Sequence, residues 1–497
     1  MTIEKTTTGI AGLDQISHGG LPKGRTTMVS GSAGSGKTVM AGQFLVAAIT
    51  DDEAAGVFVT FEEPPVDIAR NLSSFGWDID GWTEQGKWTF IDASMQTTVG
   101  TTIVGEYDFA ALMARIEDAV RRTGATRIVM DSIGAVFAEF DDTSSVRREL
   151  HRLAKGLSRM GVTCMVTAER DDEYGAISRF GVEQFVADDV LVLRHVLRRE
   201  EIRRTIQILK FRGTTHRKGE FPFTIDPEQG MVVIPVTGQT RQESSSTERV
   251  SSGDPVLDEM CGGGVLRDSV ILVSGATGTG KTLTATTFLA GGVAQGERAL
   301  LFGYEESREQ LYRNAEGWGF DFLGAEKAGR LRVVCEYPEV RSLEDHLLIM
   351  RRQIDEFEPD RVALDSLSAM EHIASPRAFR QYMMGVTAIL KERQITGIMT
   401  ATTPTLLGGD SITVSHISTL TDSIILLRYV EVYGEIKRGI TVLKMRGSAH
   451  DKEIREVVID GKGMNIGMPF RFVEGILGGT PVRVGQDEDR LRGLFSE

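Results

Sequence analysis

Gly31-Ser32-Ala33-Gly34-Ser35-Gly36-Lys37-Thr38 (GSAGSGKT) is answered, at an offset of 275 − 31 = 244, by Gly275-Ala276-Thr277-Gly278-Thr279-Gly280-Lys281-Thr282 (GATGTGKT). Each stretch reads G-x-x-x-x-G-K-T, with an apolar, β-rich run before it and a helical pattern after it. The glycines let backbone N–H groups turn inward around phosphate oxygens, where a side chain would collide or demand a disfavoured φ. Gly31, Gly34, Ser35 and Gly36 are therefore expected to cradle phosphate in one copy, and Gly275, Thr277, Gly278, Thr279 and Gly280 in the other. Lys37 and Lys281 are placed to reach the β- and γ-phosphates, and Thr38 and Thr282 to offer a hydroxyl to Mg²⁺. The helix that follows points its positive end at the same anion. One such motif could be a glycine-rich turn, but two at matched positions leave little room for that.

Working outward, the loops belong to a larger duplication. TTGIAGLD, from Thr7, pairs with SSGDPVLD, from Ser251. Glu62-Glu63 recurs as Glu305-Glu306 (305 − 62 = 243), and Asp131-Ser132 as Asp365-Ser366 (365 − 131 = 234). Lys210-Phe211-Arg212-Gly213 recurs as Lys444-Met445-Arg446-Gly447, still at 234. Landmarks in one order with a slowly drifting offset predict two homologous domains, 1–236 and 250–484. A polar, Ser-rich linker, 237–249, joins them, and an acidic tail, 485–497, follows. Strand candidates such as Thr26 to Val29, Gly56 to Thr60 and Arg127 to Met130 alternate with helical runs such as Ala110 to Arg122 and Ser342 to Phe357. This α/β alternation predicts a mostly parallel sheet flanked by helices in each half.

Asp131 and Asp365 close apolar runs (RIVMD, RVALD), the place of a carboxylate that holds a Mg²⁺-bound water. Glu62-Glu63 and Glu305-Glu306 follow the next strand. One glutamate of each pair is read as polarising the attacking group, and the other as tuning the metal shell, with Glu306 assigned to Mg²⁺. Two cations in each Lys-x-Arg-Gly segment, unable to serve their own phosphate loop with ease, point to nucleotide held by a neighbouring subunit. That assigns Lys210, Arg212, Thr214 and His216, and Lys444, Met445, Arg446, Ser448 and His450, to contacts made in trans.

The 497 residues carry 56 Lys+Arg against 70 Asp+Glu, a net charge of 56 − 70 = −14. That balance argues against a surface built to grip nucleic acid or anionic lipid. The alternating charges of Leu197 to Thr205 read as a solvated hairpin. Cys164, Cys261 and Cys335 have neither disulfide nor zinc spacing, no apolar run approaches the ~20 residues of a membrane span, and the start has no secretory pattern. The expectation is a soluble, cytoplasmic protein with no nucleic-acid or membrane partner.

Tandem phosphate loops, paired glutamates, two KxRG segments and the string Ser415-His416-Ile417-Ser418-Thr419 resemble the KaiC family over nearly the whole chain. The resemblance implies two tandem RecA-like P-loop NTPase domains that bind ATP or ADP with Mg²⁺ at subunit boundaries of a double-ring homohexamer. The N-terminal ring would be a slow ATPase. The C-terminal ring would be an autokinase and autophosphatase, with Ser418 and Thr419 as phosphoacceptors, Glu305 as general base and Glu306 in support. Thr413 matches a hydroxyl linked to phosphate movement. At the offset of 234, Ser418 and Thr419 correspond to Gln184 and Phe185, which have no hydroxyl, so only the rear half carries acceptors. A KaiB-like partner would read the state on the N-terminal ring. The short acidic segment after Val484 weighs against a KaiA-like activator, and Val414 and Ala449 depart from the family pattern. The resemblance implies a circadian or timing hub. The rivals are a non-oscillating stress or metabolic regulator of the same chemistry and, further off, a DNA-acting RecA-type motor.

Overall fold

The computed structural model describes residues 3–94, 109–134, 143–178, 187–198, 201–235, 246–403, 419–432, 434–471, 473–474 and 482–483. The chain divides into two compact units, Met1–Pro235 and Val236–Glu497.

The N-terminal unit is built on β1 (Thr26–Gly31), β2 (Gly56–Thr60), β3 (Trp88–Asp92), β4 (Arg127–Asp131), β5 (Thr163–Glu169), β6 (Asp189–Arg198), β7 (Glu201–Phe211), β8 (Glu220–Asp226) and β9 (Gly230–Val233). They form one sheet in the order β9-β8-β7-β6-β1-β5-β4-β2-β3. Every pairing from β6 across to β3 is parallel, and β7, β8 and β9 extend the sheet antiparallel. Within the charged stretch Leu197 to Thr205, Leu197 pairs with Ile202 and Arg198 with Glu201 across the β6–β7 ladder, and residues 199–200 lie outside the described residues.

In the C-terminal unit the equivalents are β10 (Val270–Gly275), β11 (Ala299–Gly303), β12 (Leu331–Cys335), β13 (Arg361–Asp365), β14 (Thr396–Thr402), β15 (Ser423–Val432), β16 (Glu435–Met445), β17 (Arg455–Asp460) and β18 (Gly463–Pro469). Their order, β18-β17-β16-β15-β10-β14-β13-β11-β12, repeats that of the first sheet strand for strand.

The central strands are buried on both faces, which is why they read as continuous apolar runs rather than alternating ones. Helix α1 (Lys37–Thr50) covers one face of the first sheet with Met40, Phe44 and Leu45. Helices α2 (Phe109–Thr123) and α3 (Thr143–Met160) cover the other with Leu112, Ile116, Leu150 and Leu157. In the second unit α4 (Lys281–Ala294) plays the part of α1 through Leu283, Phe288 and Leu289. Helices α5 (Leu343–Phe357) and α6 (Pro376–Glu392) replace α2 and α3. Phe44 and Phe288 are fully buried, so truncating either to Ala should cost about 3–5 kcal/mol.

Residues 236–245, most of the expected linker, and the tail from 484 lie outside the described residues. Arg249, expected to close the linker, instead opens a short strand, Arg249–Val250, because its guanidinium bonds the carbonyl oxygen of Cys261 at 2.9 Å and that of Gly264.

Candidate nucleotide site

In each unit the phosphate loop leaves the C-terminal end of the central strand, between two parallel neighbours, and enters a helix whose first residue is the motif lysine. Gly34 and Gly36 (φ 73° and 95°) and Gly278 and Gly280 (φ 79° and 108°) take left-handed conformations that a side chain disfavours. A Cβ on Gly31 or Gly275 would run into the Ser35 or Thr279 side chain, and those hydroxyls close the loop by donating to the Ser32 and Ala276 carbonyls at 2.8 Å.

Lys37 Nζ donates to the Gly31 and Ser32 carbonyls at 3.0 and 2.9 Å, and Lys281 Nζ to Ala276 at 3.0 Å, so both ammonium groups span the loop mouth. Burial lowers the pKa of each. Glu169 and Asp131 oppose this for Lys37, as Asp365 and Glu305 do for Lys281.

Thr38 Oγ1 donates to Asp131 Oδ2 at 2.7 Å, while the Thr167 hydroxyl occupies Oδ1. Asp365 accepts from Thr282 and Thr400 in the same way, and burial pushes its carboxyl upward. Thr167-Ala168 and Thr400-Ala401 recur at an offset of 400 − 167 = 233, a signal that could have found both threonines from the sequence. The hydroxyl and carboxylate oxygens gathered here are the hard donors that Mg²⁺ prefers, so the set fits that ion.

Glu62 and Glu63 stand exposed beyond β2. Burial raises Glu62 above the usual carboxylate range, with Glu169 and Asp131 adding to the effect. Thr60 Oγ1 holds the Glu63 carbonyl at 2.6 Å. Beyond β11, Glu305 accepts from the Ser366 hydroxyl, and Glu306 from Asn314 Nδ2 at 2.9 Å. Glu306 is raised by burial and then by Asp365. Asn314 escaped the sequence reading because it stands in no motif, and Ser366, although part of the repeated Asp-Ser pair, carried no assigned role there.

The strapping of the loops also escaped it. Tyr429 and Arg438, from the β15–β16 hairpin, bond the carbonyls of Thr277 and Gly278 at 3.2 and 3.1 Å. In the N-terminal unit the Ser32 hydroxyl bonds Glu173, which accepts from His195 N at 3.1 Å.

The KxRG segments sit at the other edge of each sheet. Asp189 pairs with Phe211 and with Thr27, and Ser423 with Met445 and with Ile271, so the segments flank the starts of β1 and β10 rather than their ends. Six residues of strand, about 16 Å, separate them from their own phosphate loop. Lys210 and Lys444 donate to the Ala187 and Thr421 carbonyls at 2.6 and 2.7 Å. Arg212 pairs with Asp188 at 3.6 Å and Arg446 with Asp422 at 3.5 Å, both guanidinium groups half exposed. Thr214, His216, Ser448 and His450 follow on the partly exposed turns. Burial holds His216 below the ordinary histidine range, its ring lies edge-on to Phe211, and Ser448 accepts from Arg249. Met445 is different: it packs into the core cluster and is 7% exposed.

Ser418 and Thr413 lie outside the described residues. Thr419 is exposed, and its carbonyl accepts from Arg446 Nη2 at 2.9 Å. It therefore shares the KxRG edge, away from Lys281.

A family model described as the KaiC ATPase matches residues 6–238 and again 250–470. The chain belongs to the KaiC family. It is 58% identical over 496 residues to circadian clock protein KaiC3 of Synechocystis sp., covering all of this chain and 98% of that one. It is 54% identical over 486 residues to the circadian clock oscillator protein KaiC of Thermostichus vulcanus, covering 98% and 93%. It is 51% identical over 486 residues to oscillator protein KaiC 1 of Synechocystis sp., again covering 98% and 93%. Nucleotide binding and ATP hydrolysis follow from this KaiC-family ATPase membership, and the two sheets are its tandem RecA-like domains. No helix among the described residues is long and apolar enough to cross a membrane.

Proposed function

We propose that the protein is a KaiC-like clock or timing ATPase in which the C-terminal unit is an autokinase and autophosphatase and the N-terminal unit a slow ATPase. Its working form is a double-ring homohexamer. One observation carries this reading: phosphate loop and KxRG segment stand at opposite edges of the same sheet. A surface that presents a nucleotide at one edge and nucleotide-reading cations at the other is complementary to a second copy of itself, head to tail, and such contacts close into rings. Thr419 stands on the KxRG edge, so its donor is ATP on the neighbouring subunit.

In that step the Thr419 or Ser418 hydroxyl attacks the γ-phosphorus of the neighbour's ATP. An O–P bond forms, the bond to the β,γ-bridging oxygen breaks, and ADP leaves with that electron pair. Glu305 takes the hydroxyl proton. Glu306, held by Asn314, and Asp365, held by Thr400, fix the carboxylates around the phosphate. Lys281 neutralises charge on the phosphates, and Arg446 does so from across the boundary. Mg²⁺ would be held by Thr282, with Glu306 nearby, in the C-terminal unit and by Thr38 in the N-terminal one, and would supply neutralisation of phosphate charge in each. The reverse transfer returns the phosphoryl group to ADP. A phosphate of roughly −1.5 to −2 charge at a subunit boundary alters the packing there, and a KaiB-like partner reads the result on the N-terminal ring.

The test mixes two full-length variants after Mg-ATP loading, with sizing by light scattering and mass spectrometry of the acceptor segment. Lys281→Ala cannot donate, and a Ser418→Ala, Thr419→Ala chain cannot accept. Phosphate on the Lys281→Ala chain only when both are present supports transfer between subunits. No phosphate on wild-type protein that turns over ATP would overturn the kinase reading. Following phosphorylation over days with and without KaiB-like and KaiA-like proteins separates a rhythm from a simple switch.

A further inference from the structure

Three equivalent positions beneath the paired glutamates are apolar in the N-terminal unit and polar in the C-terminal one. Phe61 N bonds the Asp131 carbonyl at 3.1 Å, and Tyr304 N bonds the Asp365 carbonyl at 2.7 Å. Ala93 N bonds the Thr60 carbonyl, and Glu336 N that of Gly303. Leu112 and His346 are both the fourth residue of their helices, α2 and α5. Phe61, Ala93 and Leu112 lie in one apolar cluster. Tyr304, His346 and Tyr382 are buried just as deeply, His346 at 2% exposure, and Glu336 lies half-buried beside them.

The N-terminal unit shows that this fold can fill the space with hydrocarbon. Burying polar groups there instead costs stability unless each finds a partner. The partners are present but incomplete. His346 Nε2 lies 3.1 Å from the Pro338 carbonyl, and Nδ1 lies 3.6 Å from Glu336 Oε2. The Tyr304 ring meets the imidazole edge-on at 5.6 Å, and its hydroxyl reaches that of Tyr382 at 3.5 Å. A neutral imidazole has one N–H for two acceptors. In the neutral ring Nε2–H serves Pro338 and Nδ1 faces Glu336 without a bond. Protonating Nδ1 draws Glu336 in, away from Arg341, which shares it at 3.6 Å. Burial lowers the His346 pKa and Arg341 also opposes protonation, whereas the Pro338 carbonyl, Glu336 and Asp345 favour it. Tyr304 is the residue before Glu305, so whatever moves its ring moves the backbone that aims that carboxylate.

We propose that His346, acting through Tyr304 and Glu336, is a positioning residue for Glu305, present in the C-terminal unit alone, and that its protonation disturbs the aim. The proposal rests on the kinase reading above. The test uses full-length wild type, His346→Leu, which installs the side chain the N-terminal unit carries at this position, and His346→Gln, which keeps one N–H donor. Initial rates of phosphate incorporation at Thr419 are measured against ATP concentration and pH. His346→Leu should lower kcat roughly tenfold with KM for ATP unchanged. It should also lose a downward break that wild type is expected to show on the acid side of the ordinary histidine range. His346→Gln should restore most of the rate and still lack the break. A His346→Leu protein with wild-type rate and pH profile overturns the proposal. So does a slow His346→Leu matched by an equally slow His346→Gln, which marks a packing role. Wild-type protein without phosphate at positions 418 and 419 brings down the kinase reading itself, a result distinct from both.

Discussion

The two units share nine strands in one order and the same loop, lysine, threonine and aspartate, yet they differ in the ground beneath the chemistry. Behind Glu62 lies hydrocarbon, and behind Glu305 lie a histidine, two tyrosines and a carboxylate. Beneath Arg212 lies the buried Asp189, and at the matching place in the second unit lies Ser423. The first unit thus carries its unusual carboxylate at the KxRG edge, and the second carries its polar cluster at the nucleotide edge. A duplicated fold keeps what phosphate binding requires and varies what tunes it.

The comparison is broken most severely at the phosphate loops. Lys281→Ala should abolish phosphate incorporation in a uniform sample. Lys37→Ala should instead impair assembly, read by light scattering, as the proposed placement of nucleotide at a subunit boundary requires. Loss of phosphorylation with intact rings from the second variant would reverse the division of labour. Next in size, Glu305→Gln should slow autophosphorylation by about a hundredfold or more while ATP binding and assembly persist. Glu62→Gln should leave phosphorylation of the other unit in place and reduce ATP hydrolysis. Removing Mg²⁺ with a chelator should halt both reactions, so residual transfer without a divalent ion would remove Thr38 and Thr282 from the metal.

The smallest effect tests the buried aspartate. Burial pushes the Asp189 carboxyl up to about 7, against a bond from Arg212 N at 3.1 Å, with Asp188 adding to the rise. Its pKa is raised on folding, so its contribution to stability is complete below about pH 4 and is lost as pH rises through about 7. Asp189→Asn should therefore melt above wild type at pH 8, and the difference should vanish in acid. A constant difference in Tm across that range would show that Asp189 does not titrate with folding. Ser423→Asp, the reverse exchange, should bring the same pH dependence to the second unit.

Much of this site was legible in the chain because phosphate binding constrains sequence spacing. A loop that turns N–H groups inward needs glycine at fixed intervals, and a lysine that opens the next helix cannot drift. The strand candidates at Thr26, Gly56 and Arg127 lie in β1, β2 and β4, since strands covered on both faces must be apolar throughout. Helix α5 begins one residue after its expected start because Ser342 caps it, accepting from Asp345 N. Thr167 and Thr400 on the aspartates left a signal in their recurring Thr-Ala pair, whereas Asn314 on Glu306, and Tyr429 and Arg438 on a loop more than 150 residues away, left none. Met445 lies buried while Lys444 and Arg446 do not, because neighbours along a strand point to opposite faces.

The sequence by itself determined that there are two phosphate-binding units, that they share an ancestor's spacing, and that one alone carries hydroxyls where acceptors would stand. Tertiary structure decided which edge each group faces. A parallel strand carries the loop at its end, while the antiparallel strand two places away, β7 or β16, returns the KxRG segment to the start. That reversal sets nucleotide and reader about 16 Å apart, and no spacing along the chain encodes it. It arises from how strands pair, and under the proposed ring it is why a second copy of the chain would complete each site.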